Sequence, residues 1–315
     1  MFTMARPVTL IALAGLTGCG AQLERDNSHP DDPTLDGGEV FGDAPGPDTT
    51  IVFACPGGTV APGANTLTVA GATRTFLADF PANRSGALGV VFSWHGFGQT
   101  AAGFRTDAAL APDANPDVPV VIVTPNDTGL LPPAGLGWDI VDAAENRDLA
   151  LFEAVLGCLS EQYTIDPRAI YSFGFSAGSV MTNLVHARYP RLVRRIVTES
   201  GAWFDDPAER ALVNFPMPWM WPELAATDAG TVLLTHGGPN DVAALNVIDL
   251  EAAAQAAVPF LVAHGRTVID CAHESGHALD PYLSPEQIVQ FLTTTDHQIS
   301  LPASCARRSL DALGK

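Results

Sequence analysis

The serine at position 176 has the surroundings that most clearly predict chemistry. It lies within GFSAG at positions 174–178, between the strand-like segment Ala169–Phe173 and the helical pattern of Gly178–Tyr189. In this strand–turn–helix setting a G-x-S-x-G pattern is typical of a nucleophile elbow. The turn is so tight that the flanking positions have no room for side chains, and it pushes the serine hydroxyl above the sheet. We therefore predict that Ser176 is a catalytic nucleophile.

Two backbone amides are candidates for binding a developing oxyanion. The amide of Ala177 follows the serine, beside the positive end of a helix dipole. The second candidate lies in WHGFGQ at positions 94–99, after the predicted strand Val90–Trp94. This segment is similar to the H-G-x-G-type loops that supply a second oxyanion amide, which we assign to Phe97. His95 is then expected to support the loop without contacting substrate.

A serine hydroxyl needs a base, and the base needs an orienting acid. Each of two further predicted strands ends shortly before a suitable residue. Thr231–Thr235 leads to Asp241, and Thr267–Asp270 leads to His277. The order serine, acid, histidine along the chain is the one found with this type of elbow. We predict Asp241 as the acid and His277 as the base, with Asp249 as a reserve acid in a less suitable, helical segment.

Two other classes of function stay open. Residues 273–277 read HESGH, which also matches the H-E-x-x-H pattern of zinc peptidases, with His273 and His277 as ligands and Glu274 as base. That pattern requires a helix, whereas these residues directly follow a predicted strand and include Gly276. The second alternative is a non-catalytic, surface-binding lipoprotein on a hydrolase scaffold. We expect no metal and no cofactor.

The segments between positions 67 and 295 alternate between strand and helix patterns. Val118–Thr124 is apolar on both faces, as a buried parallel strand should be. Helical patterns cover Ala143–Gln162, Leu245–His264 and Ser284–Thr295, the last with Ser284 as N-cap and Pro285 at its first position. This alternation predicts an α/β fold with a mostly parallel sheet and helices on both faces. Ligands of such sheets bind at the carboxyl ends of the strands, where the predicted site residues lie.

Composition limits the classes of partner. The chain has 315 residues, of which 47% are apolar and 16% charged, enough for one packed α/β domain with additional ends. The formal net charge is −19. Nucleic acids and anionic membranes are recognised through basic surfaces, so neither is an expected partner. We expect a monomer.

The amino-terminal residues predict export. Residues 1–19 contain Arg6, a short apolar run and then LTGC, which resembles a bacterial lipobox ending at Cys19. Lipidation of Cys19 would give a membrane-anchored periplasmic or cell-surface protein, and an ordinary signal peptide would give a secreted one. Residues 20–50 are acidic and poor in apolar side chains, which favours a flexible linker. The catalytic domain is then predicted to span residues 51–315.

The four remaining cysteines predict two disulfides in an exported domain. They are Cys55, Cys158, Cys271 and Cys305. Three pairings are open and the sequence does not choose between them, although we favour Cys55 with Cys158 and Cys271 with Cys305.

Several tryptophans are candidates for substrate binding. Residues 203–224 contain Trp203, Trp219 and Trp221 among prolines and methionines, and Trp138 lies in a similar loop setting. Aromatic side chains over the active-site edge could form a wall for an apolar acyl chain. Ordinary core packing beneath a loop is the equally weighted alternative.

With these residues together, the chain resembles the bacterial polyhydroxybutyrate depolymerase and feruloyl/acetylxylan esterase group of α/β-hydrolases. The resemblance covers roughly residues 55–305 and depends on the 174–178 elbow, the loop from His236 to Asp241, and the CAHESGH arrangement at 271–277. It implies an α/β-hydrolase fold and a serine carboxylesterase acting on polyester, feruloyl or acetyl-polysaccharide esters. It also supports His277 over His273 as the base. Pro281 stands one position later than usual, and Ser179 follows the elbow, which leaves the substrate open.

Overall fold

The structure is a computed structural model that describes residues 50–131, 135–141, 144–212, 219–225, 229–243, 248–294 and 299–309; of 211 and 212 it describes only the backbone. The predictions for residues 1–19 and Cys19, and nearly all of the 20–50 linker, lie outside these residues. None of the helices in the described ranges combines the length and apolar character needed to cross a membrane.

Eleven strands are present in the described residues. Nine of them form one sheet, and β8 and β9 form a separate two-stranded pair. In chain order the strands are β1 (Gly63–Val69), β2 (Ala72–Asp79), β3 (Leu88–Trp94), β4 (Val120–Pro125), β5 (Ile165–Phe175), β6 (Arg195–Glu199), β7 (Gly230–His236), β8 (Val242–Ala243), β9 (Ile248–Asp249), β10 (Arg266–Ala272) and β11 (Cys305–Arg308).

The large sheet is mostly parallel and has antiparallel edges. Its strand order is β1-β2-β4-β3-β5-β6-β7-β10-β11. The six strands from β4 to β10 are parallel to one another, whereas β1, β2 and β11 pair antiparallel with their neighbours. The parallel strands β3, β4, β6 and β7 are buried along their whole length, as expected for strands that are covered on both faces.

Helices cover both faces of the sheet. They are α1 (Ala101–Ala108), α2 (Arg147–Gln162), α3 (Ala177–Arg188), α4 (Pro207–Leu212), α5 (Leu250–Ala263) and α6 (Pro285–Thr293). Buried side chains of α2, α3 and α5 form one apolar core, and those of α1 and α6 form the core on the opposite face. The carboxyl ends of the parallel strands therefore all lie at one edge of the sheet, between the two layers of helices.

The predicted helices are present with small shifts at their ends. Helix α2 begins after Asn146, whose side chain accepts hydrogen bonds from Asp148 N and Leu149 N. Helix α6 begins after Ser284 with a complete capping box and Pro285 in its first turn. Helix α5 begins at Leu250, because Asp249 accepts a hydrogen bond from Ala252 N and caps it. Strands β1, β8, β9 and β11 and helices α1 and α4 were not predicted.

Two disulfides join elements that are distant in sequence. Cys55, ahead of β1, pairs with Cys158 in α2, and Cys271 in β10 pairs with Cys305 in β11. This is the favoured pairing. At the first bridge the amino-terminal segment lies so close to α2 that a Cβ on Gly157 would approach the carbonyl carbon of Ala54 to 2.7 Å.

Candidate active site

Ser176 sits on a strained turn between β5 and α3. Its backbone has φ 56° and ψ −121°, a conformation that non-glycine residues rarely adopt. A Cβ at Gly174 would lie 2.1 Å from the carbonyl oxygen of Gly178, and one at Gly178 would lie 2.0 Å from that of Trp94. Both glycines are therefore required by close backbone approach, as the elbow pattern predicts. The turn places the serine hydroxyl at the carboxyl edge of the sheet.

The structure brings the three predicted triad side chains into one hydrogen-bonded chain. Ser176 Oγ lies 2.9 Å from His277 Nε2, and His277 Nδ1 lies 2.8 Å from Asp241 Oδ1. Asp241 follows β7 and is fully buried, and His277 follows β10 with its side chain 26% exposed. The ring of Phe175 lies against that of His277, with their centroids 4.9 Å apart. The imidazole is thus held between a carboxylate and a hydroxyl and is open to solvent at one side.

The second oxygen of Asp241 is also hydrogen-bonded. Asp241 Oδ2 accepts from the hydroxyl of Ser200 at 2.7 Å and from the backbone amide of Gly237 at 2.8 Å. Sequence reasoning missed Ser200, although its position just after β6 on the same sheet edge was a usable signal. With two donors on Oδ2, Oδ1 is left to face His277.

The two predicted oxyanion amides are free to bind a ligand. Within the described residues, neither Ala177 N nor Phe97 N donates a hydrogen bond to a protein group. The amide of Gly96, by contrast, donates to Gln99 Oε1 at 2.8 Å. A Cβ on Gly96 would lie 3.4 Å from Ser176 Cβ, so the loop that carries Phe97 runs directly beside the serine. Placing unsatisfied amides next to a nucleophile is what an oxyanion site needs.

His95 is placed as a support of that loop. Its imidazole is fully buried, with Nδ1 2.9 Å from the carbonyl oxygen of Gly96 and the ring packed on Trp138. Burial lowers the pKa of His95, which keeps the ring neutral. A neutral, enclosed imidazole agrees with the predicted structural role.

The zinc-peptidase alternative does not fit the geometry. No helix is present between Cys271 and Ser284, and Gly276 takes a φ of 67°, which a helix does not allow. Both ring nitrogens of His277 are engaged by Asp241 and Ser176. Buried His273 instead accepts a hydrogen bond from Ser275 N and stabilises the turn. Among the described residues, no three histidine, cysteine or acidic side chains are grouped for metal binding.

Three of the four candidate tryptophans do not line the predicted aromatic wall. Trp138 and Trp203 are fully buried, and Trp221 is 7% exposed. The indole nitrogen of Trp138 donates to the carbonyl of His95, and that of Trp221 to Ile140. The prediction that these three residues bind substrate is therefore wrong. Their rings pack in the core beneath the loops. Trp219 is half-buried and stacks on Phe204 at 3.7 Å between centroids.

A buried carboxyl group lies beneath the loop that carries His277. Glu199 ends β6, is 1% exposed, and its Oε2 accepts a hydrogen bond from the amide of Asp280 at 3.1 Å. Burial raises the pKa of Glu199 to about 8, and the nearby charge of Asp280 adds to the rise. Asp280 Oδ1 in turn accepts from Tyr282 N. Sequence reasoning missed Glu199, since a glutamate at a strand end usually indicates an exposed position.

The raised pKa of Glu199 predicts a free energy of unfolding that falls as the pH rises from about 4.5 to about 8. Its folded-state pKa of about 8 exceeds the ordinary value of 4.5, so the folded state retains a proton that the unfolded chain releases. Its contribution to the free energy of unfolding is complete below pH 4.5 and is lost as the pH rises through about 8. For one such group, the free energy of unfolding falls by at most about 1.4 kcal/mol per pH unit.

Glu199→Gln keeps a neutral acceptor for Asp280 N and should remove this share of the pH dependence. Urea unfolding at several values from about pH 6 to pH 8 gives the slope of the free energy of unfolding against pH for the wild type and the variant. Asp205, whose burial raises its pKa to about 7, contributes equally to both proteins. Glu161→Gln, at an exposed glutamate that accepts from Cys55 N, is the control and should keep the wild-type slope. Equal slopes for the wild type and Glu199→Gln would contradict the assignment.

Comparison with known structures gives neighbours over most of the chain. A complex of a pOPH variant with DMSO has a TM-score of 0.65 and 17% sequence identity, covering 81% of this chain and 96% of that one. An S-formylglutathione hydrolase from Agrobacterium tumefaciens has a TM-score of 0.52 and 13% identity, covering 76% and 95%. A ferulic acid esterase has a TM-score of 0.50 and 15% identity, covering 68% and 89%.

Sequence comparison adds no relative. No protein-family model and no curated protein matches the chain. The likeness to solved structures, together with the sheet order and the helices on both faces, confirms the predicted fold. The chain has the α/β-hydrolase fold.

Proposed function

We propose that this protein is a serine carboxylesterase. One observation carries the proposal: Ser176, His277 and Asp241 are linked at 2.9 Å and 2.8 Å, at the sheet edge where such folds bind ligands. The unoccupied amides of Ala177 and Phe97 beside the serine support it, because acyl transfer needs donors where the oxyanion forms.

In the proposed mechanism, His277 Nε2 accepts the proton of Ser176 as Oγ attacks the ester carbonyl carbon. Asp241 accepts from the Nδ1–H of His277, which fixes the tautomer that leaves Nε2 as a base and stabilises the imidazolium that forms. The amides of Ala177 and Phe97 donate to the carbonyl oxygen as it becomes an oxyanion. The imidazolium then protonates the leaving alcohol, and an acyl-enzyme remains on Ser176.

Deacylation uses the same groups, with water in place of the alcohol. His277 takes a proton from water as the water oxygen attacks the acyl carbon, and returns that proton to Ser176 Oγ when the carboxylic acid leaves. Every proton transfer in this scheme runs through one imidazole.

For the substrate we propose polyester, feruloyl or acetyl-polysaccharide esters, the classes implied by the sequence resemblance. The existence of a ferulic acid esterase with the same fold is in keeping with this range. Two exposed aromatic side chains also favour an apolar acyl group or chain. Phe97 is 51% exposed in the loop beside Ser176, and Tyr282 is 64% exposed in the loop that follows His277. The net charge of −19 disfavours anionic substrates.

We further propose that the protein is exported as a monomer and held at a membrane by a lipid on Cys19. The support is the lipobox-like LTGC sequence and the two disulfides of the folded part, which form in oxidising compartments.

The proposal is tested by labelling the purified protein with a fluorophosphonate while following hydrolysis of short p-nitrophenyl esters. We expect stoichiometric labelling of Ser176, located by peptide mass spectrometry, with loss of esterase activity in proportion. A metal chelator should leave the activity unchanged. Hydrolysis that resists the fluorophosphonate but is abolished by the chelator would favour the metallopeptidase class. Neither labelling nor hydrolysis would favour the non-catalytic binding protein.

A further inference from the structure

Ser200 occupies an unusual position next to the site. It follows β6 directly, is 1% exposed, and has a φ of 52°. Left-handed backbone is unfavourable for a serine and persists only where the surroundings impose it. A strained residue beside a site is a reason to ask what its side chain does there.

The surroundings that impose this backbone are visible. Ser200 N donates to the carbonyl of Thr235 in β7 at 2.9 Å, and the carbonyl of the preceding Glu199 accepts from Ser176 N, also at 2.9 Å. The following residue is equally restricted, because a Cβ on Gly201 would lie 2.4 Å from Ser179 Cβ. The chain between β6 and Gly201 is therefore fixed to both the nucleophile turn and the strand that leads to Asp241.

This fixed backbone directs the serine hydroxyl to the buried carboxylate. Ser200 Oγ donates to Asp241 Oδ2 at 2.7 Å, and the other donor to that oxygen is the backbone amide of Gly237. Among the described residues, Ser200 is thus the only side chain besides His277 that hydrogen-bonds to Asp241. Two donors on Oδ2 hold the carboxylate plane, and Oδ1 is left directed at Nδ1 of His277.

We propose that Ser200 is a positioning residue of the hydrolytic triad, whose hydroxyl orients Asp241 and thereby the imidazole of His277. The inference rests on the proposed serine esterase function. It assigns no contact between Ser200 and substrate. Hydrogen bonds to a charged acceptor are among the stronger ones in proteins, so their loss should be measurable in turnover.

The test compares Ser200→Ala with Ser200→Gly. Both remove the hydroxyl, but only glycine also relieves the positive φ. If the hydroxyl positions Asp241, both variants should show kcat about 10- to 100-fold lower than wild type, with KM changed less than about threefold. The acid limb of the kcat/KM profile should also move to higher pH, because an Asp241 carboxylate with fewer donors attracts the imidazolium form of His277 more strongly.

Ser172→Ala is the matched control. Ser172 is also a fully buried serine, whose hydroxyl accepts from Trp94 Nε1 and donates to Thr182 Oγ1 within the core. It should lose stability while keeping the wild-type kcat and pH profile. If Ser200→Ala does not fold, Ser200→Gly alone decides, since its backbone is less strained than that of the wild type.

The outcomes separate this inference from the proposed function. If the wild type does not hydrolyse esters through Ser176, the proposed function fails first. If it does, and Ser200→Gly keeps a kcat within threefold of wild type or leaves the acid limb in place, the positioning role is wrong and Ser200 only maintains the turn. Lower kcat together with the moved acid limb supports the role.

Discussion

Replacing Ser176 by alanine is expected to lower kcat for p-nitrophenyl ester hydrolysis by about 10⁴-fold or more. The substitution removes the atom that forms the acyl-enzyme while leaving the amides of Ala177 and Phe97 in place. The remaining activity would then come from direct attack of water on the bound and polarised ester carbonyl, without an acyl-enzyme intermediate. Steady-state rates, checked against active-site titration, measure the loss.

Folding must be separated from chemistry in that experiment. Ser176→Ala should unfold at or slightly above the wild-type temperature, since alanine fits the small space and no buried partner is lost beyond one hydrogen bond to His277. Ser275→Ala, at an exposed serine in the histidine loop, is the control and should keep its full activity. A Ser176→Ala enzyme within tenfold of the wild-type kcat would overturn the proposed function.

The second large effect is expected for Asp241→Asn, with kcat about 10⁴-fold below wild type. Asparagine keeps the size of the side chain but can direct an N–H at His277 Nδ1, which then must accept and leaves the proton on Nε2. That tautomer cannot take the proton of Ser176. Ester hydrolysis as a function of pH, measured beside the wild type, reports the effect.

Asp249→Asn is a matched control, because Asp249 was the reserve candidate for the acid. Its carboxylate accepts from Ala252 N and caps α5. Asparagine is an equally good N-cap, so both activity and stability should stay near wild type. The reverse pattern, with Asp249→Asn inactive and Asp241→Asn active, would move the acid to position 249.

The triad positions could be predicted because each depends on short-range sequence signals. GFSAG marks a turn that only glycines at 174 and 178 permit, and Asp241 and His277 each follow an apolar strand within a few residues. Parallel strands end on one edge, so residues after those ends are brought together by topology alone. The distances of 2.9 and 2.8 Å follow from this arrangement.

Residues whose role depends on register or depth could not be predicted in the same way. Glu199 and Ser200 are adjacent polar residues, and only the pairing of β6 with β5 and β7 places one under the histidine loop and the other against Asp241. Trp138 and Trp203 were misjudged because aromatic content in a loop does not reveal how deeply the loop is buried. The edge strands β1 and β11 have short or mixed patterns that resemble loops.

The close approach at Gly178 has a consequence for how the proposed esterase can change over evolution. The start of α3 lies in close backbone contact with the end of β3, so the two amides proposed to bind the oxyanion are held by main-chain packing. Neither donor depends on the identity of its own side chain. The ring at position 97 can therefore be exchanged to suit a different acyl group, while the amide behind it keeps its place. If the proposed function holds, a substitution at position 97 can alter the preference for the acyl group and still leave the backbone amide of that residue to bind the oxyanion.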